Sequence, residues 1–186
     1  MSKCIVGIDA AYRRTGVAFI SIEGVLLQTT VIKPNIKLSG AEKLYQLRAA
    51  FDTLLEHYRP VAGVIEDYSL GSIHDIRRLA EASGVIKACC GGYKFPCAEL
   101  APMQLKLLAA DHGHATKEEV AISMSKLYKT KLEAGDEADA VAAAHAARLL
   151  FKYAKPTKRG EAEVLVKFAQ SKTRNKTSKV TLDQGF

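Results

Sequence analysis

The sequence predicts an α/β domain in which three antiparallel strands are followed by alternating helices and strands. Two apolar runs, residues 5–8 and 17–20, are rich in β-branched and aromatic residues and flank a short polar turn. Beyond residue 40, amphipathic helical patterns alternate with short apolar runs up to about residue 153. At 186 residues, 48% hydrophobic and 25% charged, the chain has the size and composition of one globular domain with a sizeable core.

The first three predicted strands form a meander joined by short turns. The first strand ends on Asp9, the turn AAYRRT follows, and Glu23-Gly24 makes the second turn before a strand over 25–34. A carboxylate at the end of a buried strand is costly unless a cation, a helix N-terminus or a metal ion neutralises it. The partner of Asp9 is therefore the first functional question that the sequence raises.

The later elements have clear local signals at their ends. The predicted elements are helices over 41–58 and 73–91, strands over 61–65 and 95–100, and three helices beginning at Pro102, near Thr116 and at Asp136. Pro60 ends the first helix, and Pro102 suits the first turn of a helix. Thr116 and Glu119 have the spacing of a capping box. Repeats and low-complexity segments are absent from the sequence.

Charge divides the chain into a nearly neutral body and a basic tail. We predict a domain over 1–153 and a tail over 154–186, with a linker over 155–160, a short helix over 161–169 and disorder from residue 170. Of the net charge of +7, residues 152–186 hold +6, because nine Lys and Arg face three acids there. Such a tail indicates a polyanion partner, since contacts to phosphates release counterions; the alternative is a solubilising tail.

Composition excludes several protein classes. No apolar run reaches the length of a membrane span, and the first strand begins at residue 3, so we expect no membrane partner, no signal peptide and a cytoplasmic protein. The four cysteines lack metal-ligand spacing, and we expect buried thiols in a reducing compartment. The histidine pair 112 and 114 has no third ligand nearby, and His145 lies on an alanine-rich helix, where we expect it in the core. We therefore expect no zinc site.

Four carboxylates are predicted to meet at one end of the sheet. Asp9 and Glu66 end the first and fourth strands, and Asp136 and Asp139 share the first turn of the last body helix. Without cations these acids would repel one another, whereas Mg²⁺ or Mn²⁺ ions prefer oxygen ligands, and a pair of ions serves phosphodiester hydrolysis. Taken singly, each acid has a simpler explanation: Asp136 as a helix N-cap, the strand-end acids as solvated groups.

Three segments carry a resemblance to a known family. GIDAAYRRTGVAF, VIEDYSLG and DEADAVAAAHAA, in this order, resemble the RuvC-type Holliday-junction resolvases of the RNase H-like superfamily. Over residues 4–150 the resemblance implies a mixed five-stranded sheet flanked by helices, three strands antiparallel and two parallel. It also implies a homodimer that nicks four-way DNA junctions symmetrically with two Mg²⁺ or Mn²⁺ ions per active site. Asp9, Glu66, Asp136 and Asp139 match the family's ligands.

The resemblance also suggests residues that contact DNA. Lys106 and Lys117 are similar to the phosphate-binding lysines that the family places near its metals, and a solvated helix lysine is the alternative for each. Tyr68 is the candidate for an aromatic that stacks at the opened junction, although it could belong to the core. The remaining candidates for DNA contact are basic: Arg13, Arg14, Arg77, Arg78, Lys158 and Arg159. One of the two arginines of the first turn could instead pair with Asp9.

Two features set limits on this interpretation. The family often has a glycine soon after its first aspartate, whereas Ala10-Ala11-Tyr12 stands there in this chain. The segment from Arg13 to Ala18 is similar to a motif of YqgF-like RNases, but the later signature of that branch is missing.

Three more functional classes are compatible with parts of the pattern. They are a nuclease with a broader range of branched DNA, an actin- and hexokinase-like ATPase, and a silent nucleic-acid-binding module. The ATPase needs a second copy of the fold, for which 186 residues leave no space, and the intact carboxylates argue against the silent module. The source could be bacterial or viral.

Overall fold

The computed structural model describes residues 3–67 and 73–180, with the side chains of 73–75 and 172–180 left aside. Its elements are β1 Cys4–Asp9, β2 Thr15–Ser21, β3 Leu26–Ile32, α1 Gly40–Tyr58, β4 Ala62–Glu66, α2 Ile73–Gly92, β5 Cys97–Leu100, α3 Pro102–Ala110, α4 Lys117–Tyr128, α5 Asp136–Leu150 and α6 Arg159–Val180. They form one sheet in the order β3-β2-β1-β4-β5. β1, β2 and β3 are antiparallel, whereas β4 is parallel to β1 and β5 to β4. The predicted mixed five-stranded sheet is confirmed.

Helices cover both faces of the sheet. Successive side chains of a strand point to opposite faces, so β1 contributes to two cores. Ile5 packs in the layer formed with α3, α4, α5 and α6, whereas Val6 and Ile8 pack in the layer formed with α1 and α2. Because both faces are buried, β1 and β4 are almost uniformly apolar, and only their last residues, Asp9 and Glu66, are polar.

The close contact between α5 and the sheet determines where the helix begins. Gly7 of β1 lies against the backbone of Ala140, Ala143 and Ala144, so that a Cβ at this position would overlap the helix. Gly16 of β2 lies in the same way against the backbone of Asp136. Glycines on the strands and alanines on the helix therefore bring the first turn of α5 onto the strand ends.

Most helix ends follow the local signals. Thr116 caps α4 as predicted: its hydroxyl accepts from Glu119 N at 3.2 Å, and the Glu119 carboxylate accepts from Thr116 N at 2.7 Å. An equivalent box at Ser39 begins α1 at Gly40. Three elements are shorter than predicted: β3 spans 26–32 rather than 25–34, β5 begins at Cys97 rather than 95, and α5 ends at Leu150 rather than near 153.

The segment after residue 154 is more ordered and more tightly packed than predicted. α6 runs from 159 to 180, whereas the sequence indicated a helix over 161–169 and disorder from 170. Val164 is fully buried, and Leu165 and Phe168 pack against the same core. Glu161 is also buried, and its carboxylate accepts from Thr157 N at 2.5 Å and Lys158 N at 3.1 Å. The division into a domain over 1–153 and a tail over 154–186 remains a prediction.

The four cysteines are free thiols, as expected from the sequence. Cys4, Cys89 and Cys90 are buried, and Cys97 is partly buried. Burial raises the pKa of Cys4 to about 11. Within residues 3–67 and 73–180, no helix is long and apolar enough to cross a membrane.

Candidate active site

The parallel pairing of β1 and β4 places two acids side by side. Ile8 is opposite Ile65 in the register, so that the following residues, Asp9 and Glu66, leave the sheet together. Both are strand-terminal and only partly exposed. The prediction that the two strand ends meet is confirmed.

Three of the four predicted carboxylates line one cavity. This carboxylate cavity, of about 230 Å³, contains Asp9, Glu66 and Asp139, together with Lys106 and Lys117. Asp139 lies in the first turn of α5, and its Oδ2 is 3.1 Å from Lys117 Nζ. The cavity thus combines acids that can hold cations with lysines that can bind an anion.

Asp9 and Glu66 resist ionisation. Burial, then the charges of Asp139 and Asp136, raise the pKa of Asp9 to about 7, against a smaller opposing effect of Lys117. Burial, then Asp9 and Asp139, raise the pKa of Glu66 to about 8, although Lys117 and Lys106 oppose the shift. Two lysines therefore do not compensate the negative charge that would collect here at neutral pH.

The fourth carboxylate lies beside this cavity. Asp136 lines a neighbouring cavity of about 400 Å³, where its Oδ2 accepts a hydrogen bond from Arg14 Nε at 2.6 Å. Asp136 is the first residue of α5 and Gly135 is the N-cap, so the simpler explanation of Asp136 as an N-cap is wrong. The expectation that an arginine of the first turn could pair with Asp9 is also corrected, because Arg14 pairs with Asp136.

The turn after Asp9 closes without the glycine that the family often has. The Thr15 hydroxyl donates to Ala11 O at 2.7 Å and accepts from Ala11 N at 3.3 Å. The residues with positive φ lie elsewhere in the described chain, so Ala10-Ala11-Tyr12 is not strained. The Thr15 hydroxyl thus stabilises the turn through hydrogen bonds, and no glycine with a positive φ is needed there.

The donor set fits a hard divalent cation. Its members are carboxylates, the ligands that Mg²⁺ and Mn²⁺ prefer. The pKa values of Asp9 and Glu66 are raised by burial and by neighbouring negative charge, which a cation would neutralise. In the part of the chain that the structure describes, no three acidic, histidine or cysteine side chains are close enough to hold an ion as they stand. Asp136 and Asp139 instead form ion pairs with Arg14 and Lys117.

The predicted DNA-contacting residues are spread over several surfaces. Arg13 and Arg78 line one cleft beside the first turn, together with Tyr12 and Lys43, which the sequence did not indicate. Arg77 and Arg159 are exposed at the beginnings of α2 and α6. Tyr68 lies outside the described residues.

Lys158, predicted to contact DNA, makes hydrogen bonds within the protein. Its ammonium group donates to Ala109 O at 2.8 Å and to Ser123 Oγ at 3.0 Å. These bonds attach the beginning of α6 to α3 and α4, and the DNA contact of Lys158 stays a prediction. The signal is not visible in the sequence, because both acceptors are distant in the chain.

His145 and His112 have different surroundings. His145 is 5% exposed and lies between Tyr128 Oη, 2.8 Å from Nδ1, and Glu161 Oε1, 3.0 Å from Nε2. It is a core residue, as predicted. His112 lies 3.6 Å from a carboxylate oxygen of Glu119 and near no second ligand among the described side chains.

Comparison with known proteins places the chain in a family. The family model for crossover junction endodeoxyribonuclease RuvC matches residues 5–146. A protein of that name from Anaeromyxobacter sp. (strain K) is 31% identical over 154 residues, which cover 79% of this chain and 82% of the relative. Another from Synechococcus sp. (strain CC9605) is 29% identical over 145 residues, covering 75% of this chain and 94% of the relative.

Solved structures agree with the sequence relatives. T. thermophilus RuvC in complex with a Holliday junction substrate superposes with a TM-score of 0.73 at 26% identity, covering 83% of this chain and 99% of that chain. The yeast mitochondrial Holliday junction resolvase Ydc2 shares the fold, with a TM-score of 0.57 at 13% identity, covering 88% of this chain and 80% of that chain. On the matched segment and the sequence identity together, the chain belongs to the RuvC family of crossover junction endodeoxyribonucleases.

Proposed function

We propose that this protein is a metal-dependent, structure-selective DNA endonuclease that resolves Holliday junctions by paired symmetric nicks. The observation that carries the proposal is the convergence of Asp9, Glu66 and Asp139 with two lysines in one open cavity. Family membership and the likeness to a RuvC bound to a Holliday junction support the choice of substrate. We place its action in the cytoplasm of a bacterial or virus-infected cell, which the bacterial relatives support.

The carboxylates are the groups that would hold metal. Asp9, Glu66 and Asp139 would bind Mg²⁺ or Mn²⁺, with Asp136 as a fourth ligand, and a pair of bound ions supplies an activated water and charge stabilisation at the phosphate. Arg14 and Lys117 hold Asp136 and Asp139 until then. The first task of this chain's own cations is thus to keep two ligands in place.

The lysines supply positive charge to the substrate. Burial alone would lower the pKa of Lys117, but Asp139, Asp9 and Asp136 together raise it, so its ammonium stays charged. When its bond to Asp139 opens, Lys117 has a protonated amine free for a non-bridging phosphate oxygen. Lys106 lines the same cavity and provides a second donor.

Paired nicks need two active sites, which a dimer supplies, and α2 has a surface suited to dimer formation. The predicted small-residue face over 82–88 is divided, because Ala82 and Ser83 are buried in the protein's own core. Gly84, Ala88 and Gly91 instead form an exposed stripe with helical spacing, and a Cβ at Gly84 or Gly91 would meet no atom within 4 Å. Such a stripe allows close approach of a second α2 helix.

The central experiment compares substrates and one ligand variant. A labelled four-way junction and a linear duplex of the same sequences are incubated with Mg²⁺ or Mn²⁺ and wild-type or Asp9→Asn protein. We expect paired nicks in the junction only, and none with the variant. Equal cutting of both DNAs, or full activity of Asp9→Asn, contradicts the proposal. Comparable cutting of flaps and Y-junctions favours the broader branched-DNA nuclease. Cutting of RNA favours the YqgF-like RNase.

The dimer has a separate test. Gly84→Glu adds a charge where the monomer has free space, so the fold should persist while self-association weakens. Sedimentation at micromolar concentration should show a wild-type dimer and a variant monomer that nicks junctions singly. A wild type that remains a monomer with and without DNA contradicts symmetric cleavage by a pair.

A further inference from the structure

A second cleft lies beside the turn that follows Asp9. This Tyr12 cleft, of about 510 Å³, is lined by Tyr12, Arg13, Pro34, Ile36, Lys43 and Arg78, with Gly40 at the start of α1. It shares no lining residue with the carboxylate cavity. Neither the family's ligand positions nor the resemblance in sequence indicated Tyr12 or Lys43.

Cations from three elements gather around one aromatic ring. Lys43 Nζ on α1 lies 6.0 Å from the Tyr12 ring centroid, and Arg78 Cζ on α2 lies 5.8 Å from it. Both distances are within the range of cation–π attraction. Arg13 adds a third positive charge from the turn itself. Tyr12 thus holds cations together that would otherwise repel one another.

The charge of the cleft is unbalanced. No carboxylate lines it among the residues that the structure describes. Like charges that a fold draws together raise the local positive potential, and an anion that enters lowers the energy of the whole group. The ligand chemistry that suits this cleft is therefore anionic.

The remaining wall is apolar. Tyr12 is partly buried, Pro34 is buried, and Ile36 is 80% exposed at the rim. A large apolar side chain beside three cations is poorly suited to a free inorganic anion. It is well suited to a nucleotide, whose phosphate faces the cations while its sugar and base cover the apolar wall.

Because the cleft lies close to the carboxylate cavity, we expect this nucleotide to belong to the DNA substrate. Tyr12 follows Asp9 by three residues, and three residues span at most about 11 Å. Each nucleotide advances a DNA strand by about 3.4 Å. A strand with one phosphate in the carboxylate cavity can therefore reach the Tyr12 cleft within about three nucleotides.

We propose that the Tyr12 cleft binds one nucleotide of the DNA strand that passes through the carboxylate cavity. Arg13, Lys43 and Arg78 bind its phosphate, and Tyr12 and Ile36 contact its sugar and base. The proposal rests on the proposed endonuclease function and adds a second contact that holds the cut strand in register.

Binding without divalent cations tests the charges. Junction affinity is measured by fluorescence anisotropy over a series of salt concentrations for wild type, Lys43→Gln and Arg78→Gln. Lys3→Gln is the matched control, because Lys3 is exposed at the opposite end of β1. We expect each cleft variant to bind about five- to tenfold more weakly, with a salt slope lower by about 1, and the control to stay within about twofold of wild type.

Tyr12 is tested by contact as well as by affinity. 5-Iododeoxyuridine is placed at successive positions of the cut strand, and cross-linked peptides are identified by mass spectrometry. We expect a cross-link to Tyr12 from one or two positions within about three nucleotides of the cut in wild type. Tyr12→Leu should bind about tenfold more weakly with an unchanged salt slope, whereas Tyr12→Phe, which keeps the ring, should bind like wild type.

The outcomes separate this proposal from the proposed function. Wild-type affinity and slope in both charge variants, or cross-links that avoid Tyr12 at every position, overturn the cleft proposal while junction cleavage stands. A wild type that neither prefers nor cuts the junction overturns the endonuclease function itself. The cross-link is measured on wild type, so misfolding of a variant does not affect that result.

Discussion

Helix α5 connects two acidic sites at which folding shifts the carboxyl pKa in opposite directions. At its beginning, the pKa of Asp9 is raised to about 7 and that of Glu66 to about 8 by burial and by neighbouring carboxylates. Farther along, His145 of α5 contacts Glu161 of α6. There, burial alone would raise the pKa of Glu161, but His145 and the backbone N–H groups of Thr157 and Lys158 lower it to about 2.

Hydrogen-bond donors account for the difference. Glu161 Oε2 accepts from two backbone N–H groups and from the Thr157 hydroxyl, and Oε1 lies 3.0 Å from His145 Nε2. Asp9 and Glu66 have like charges as neighbours instead. A buried acid with satisfied bonds stabilises the fold, whereas acids left in mutual repulsion are ready to bind cations.

The largest effect on activity is expected when one carboxylate of the carboxylate cavity is removed. Glu66→Gln should lower the single-turnover rate of junction cleavage by at least about a thousandfold, because a metal ligand is lost. Its free energy of unfolding in EDTA at pH 8, from urea denaturation, should be equal to that of wild type or about 1 kcal/mol higher, since a repelled charge is removed. Glu56→Gln, on the exposed side of α1, is the control; a destabilised Glu66→Gln would contradict the comparison.

The corresponding change at the second group should have the opposite effect. Glu161→Gln should lower the free energy of unfolding by about 3 kcal/mol, because a buried and bonded charge is lost. Cleavage per folded molecule should stay within about twofold of wild type. The matched control is Glu163→Gln on the same helix, whose ion pair with Lys167 is exposed to solvent and should contribute far less to stability. Equal losses in the two variants would show that Glu161 has no special role.

The two groups also predict opposite responses to pH. A carboxyl whose pKa is raised by folding stabilises the protein below its unfolded pKa, and this contribution is lost as pH rises through the folded value. Metal-free protein should therefore lose at least about 2 kcal/mol of stability as pH rises from about 4 through 8, because of Asp9 and Glu66. Glu161 stabilises above its unfolded pKa, and its contribution is lost as pH falls through about 2.

Urea denaturation over a series of pH values checks this profile. Glu66→Gln should flatten the alkaline side and Glu161→Gln the acid side. Mg²⁺ should restore stability on the alkaline side in wild type, because it binds the deprotonated carboxylates. A profile that Mg²⁺ leaves unchanged would contradict a metal site at the carboxylate cavity.

Truncation within α6 should have the smallest effect. A chain that ends at Ser171 keeps Glu161 and Val164, so its free energy of unfolding should stay within about 0.5 kcal/mol of wild type. Loss of the four basic residues beyond it should lower the salt slope of DNA binding by up to about 3 without changing the preference for junctions. A truncation before residue 157 would be an unsuitable test of the tail, because it also removes Glu161, the buried acidic partner of His145. A changed choice of DNA structure in the Ser171 truncation would assign the tail a role in recognition.

The sequence was sufficient for features that depend on neighbouring residues. The capping box at Thr116 and the strand runs of β1 and β4 follow from local patterns, and their order placed Asp9, Glu66 and Asp139 together. Each prediction used residues within one element or the direction of parallel strands. The family resemblance then identified these carboxylates as candidate metal ligands.

Only the tertiary structure decided the pairing of side chains from distant segments. Arg14 forms an ion pair with Asp136 rather than with Asp9. Lys158 donates hydrogen bonds to residues of α3 and α4. Lys43 and Arg78 lie near the ring of Tyr12. Glu161, an ordinary charge in the sequence, became a buried partner of His145 and attached α6 to the body. The physical reason is that elements and their order come from local patterns, whereas the partner of a charge depends on distances that exist only when the helices have packed on the sheet.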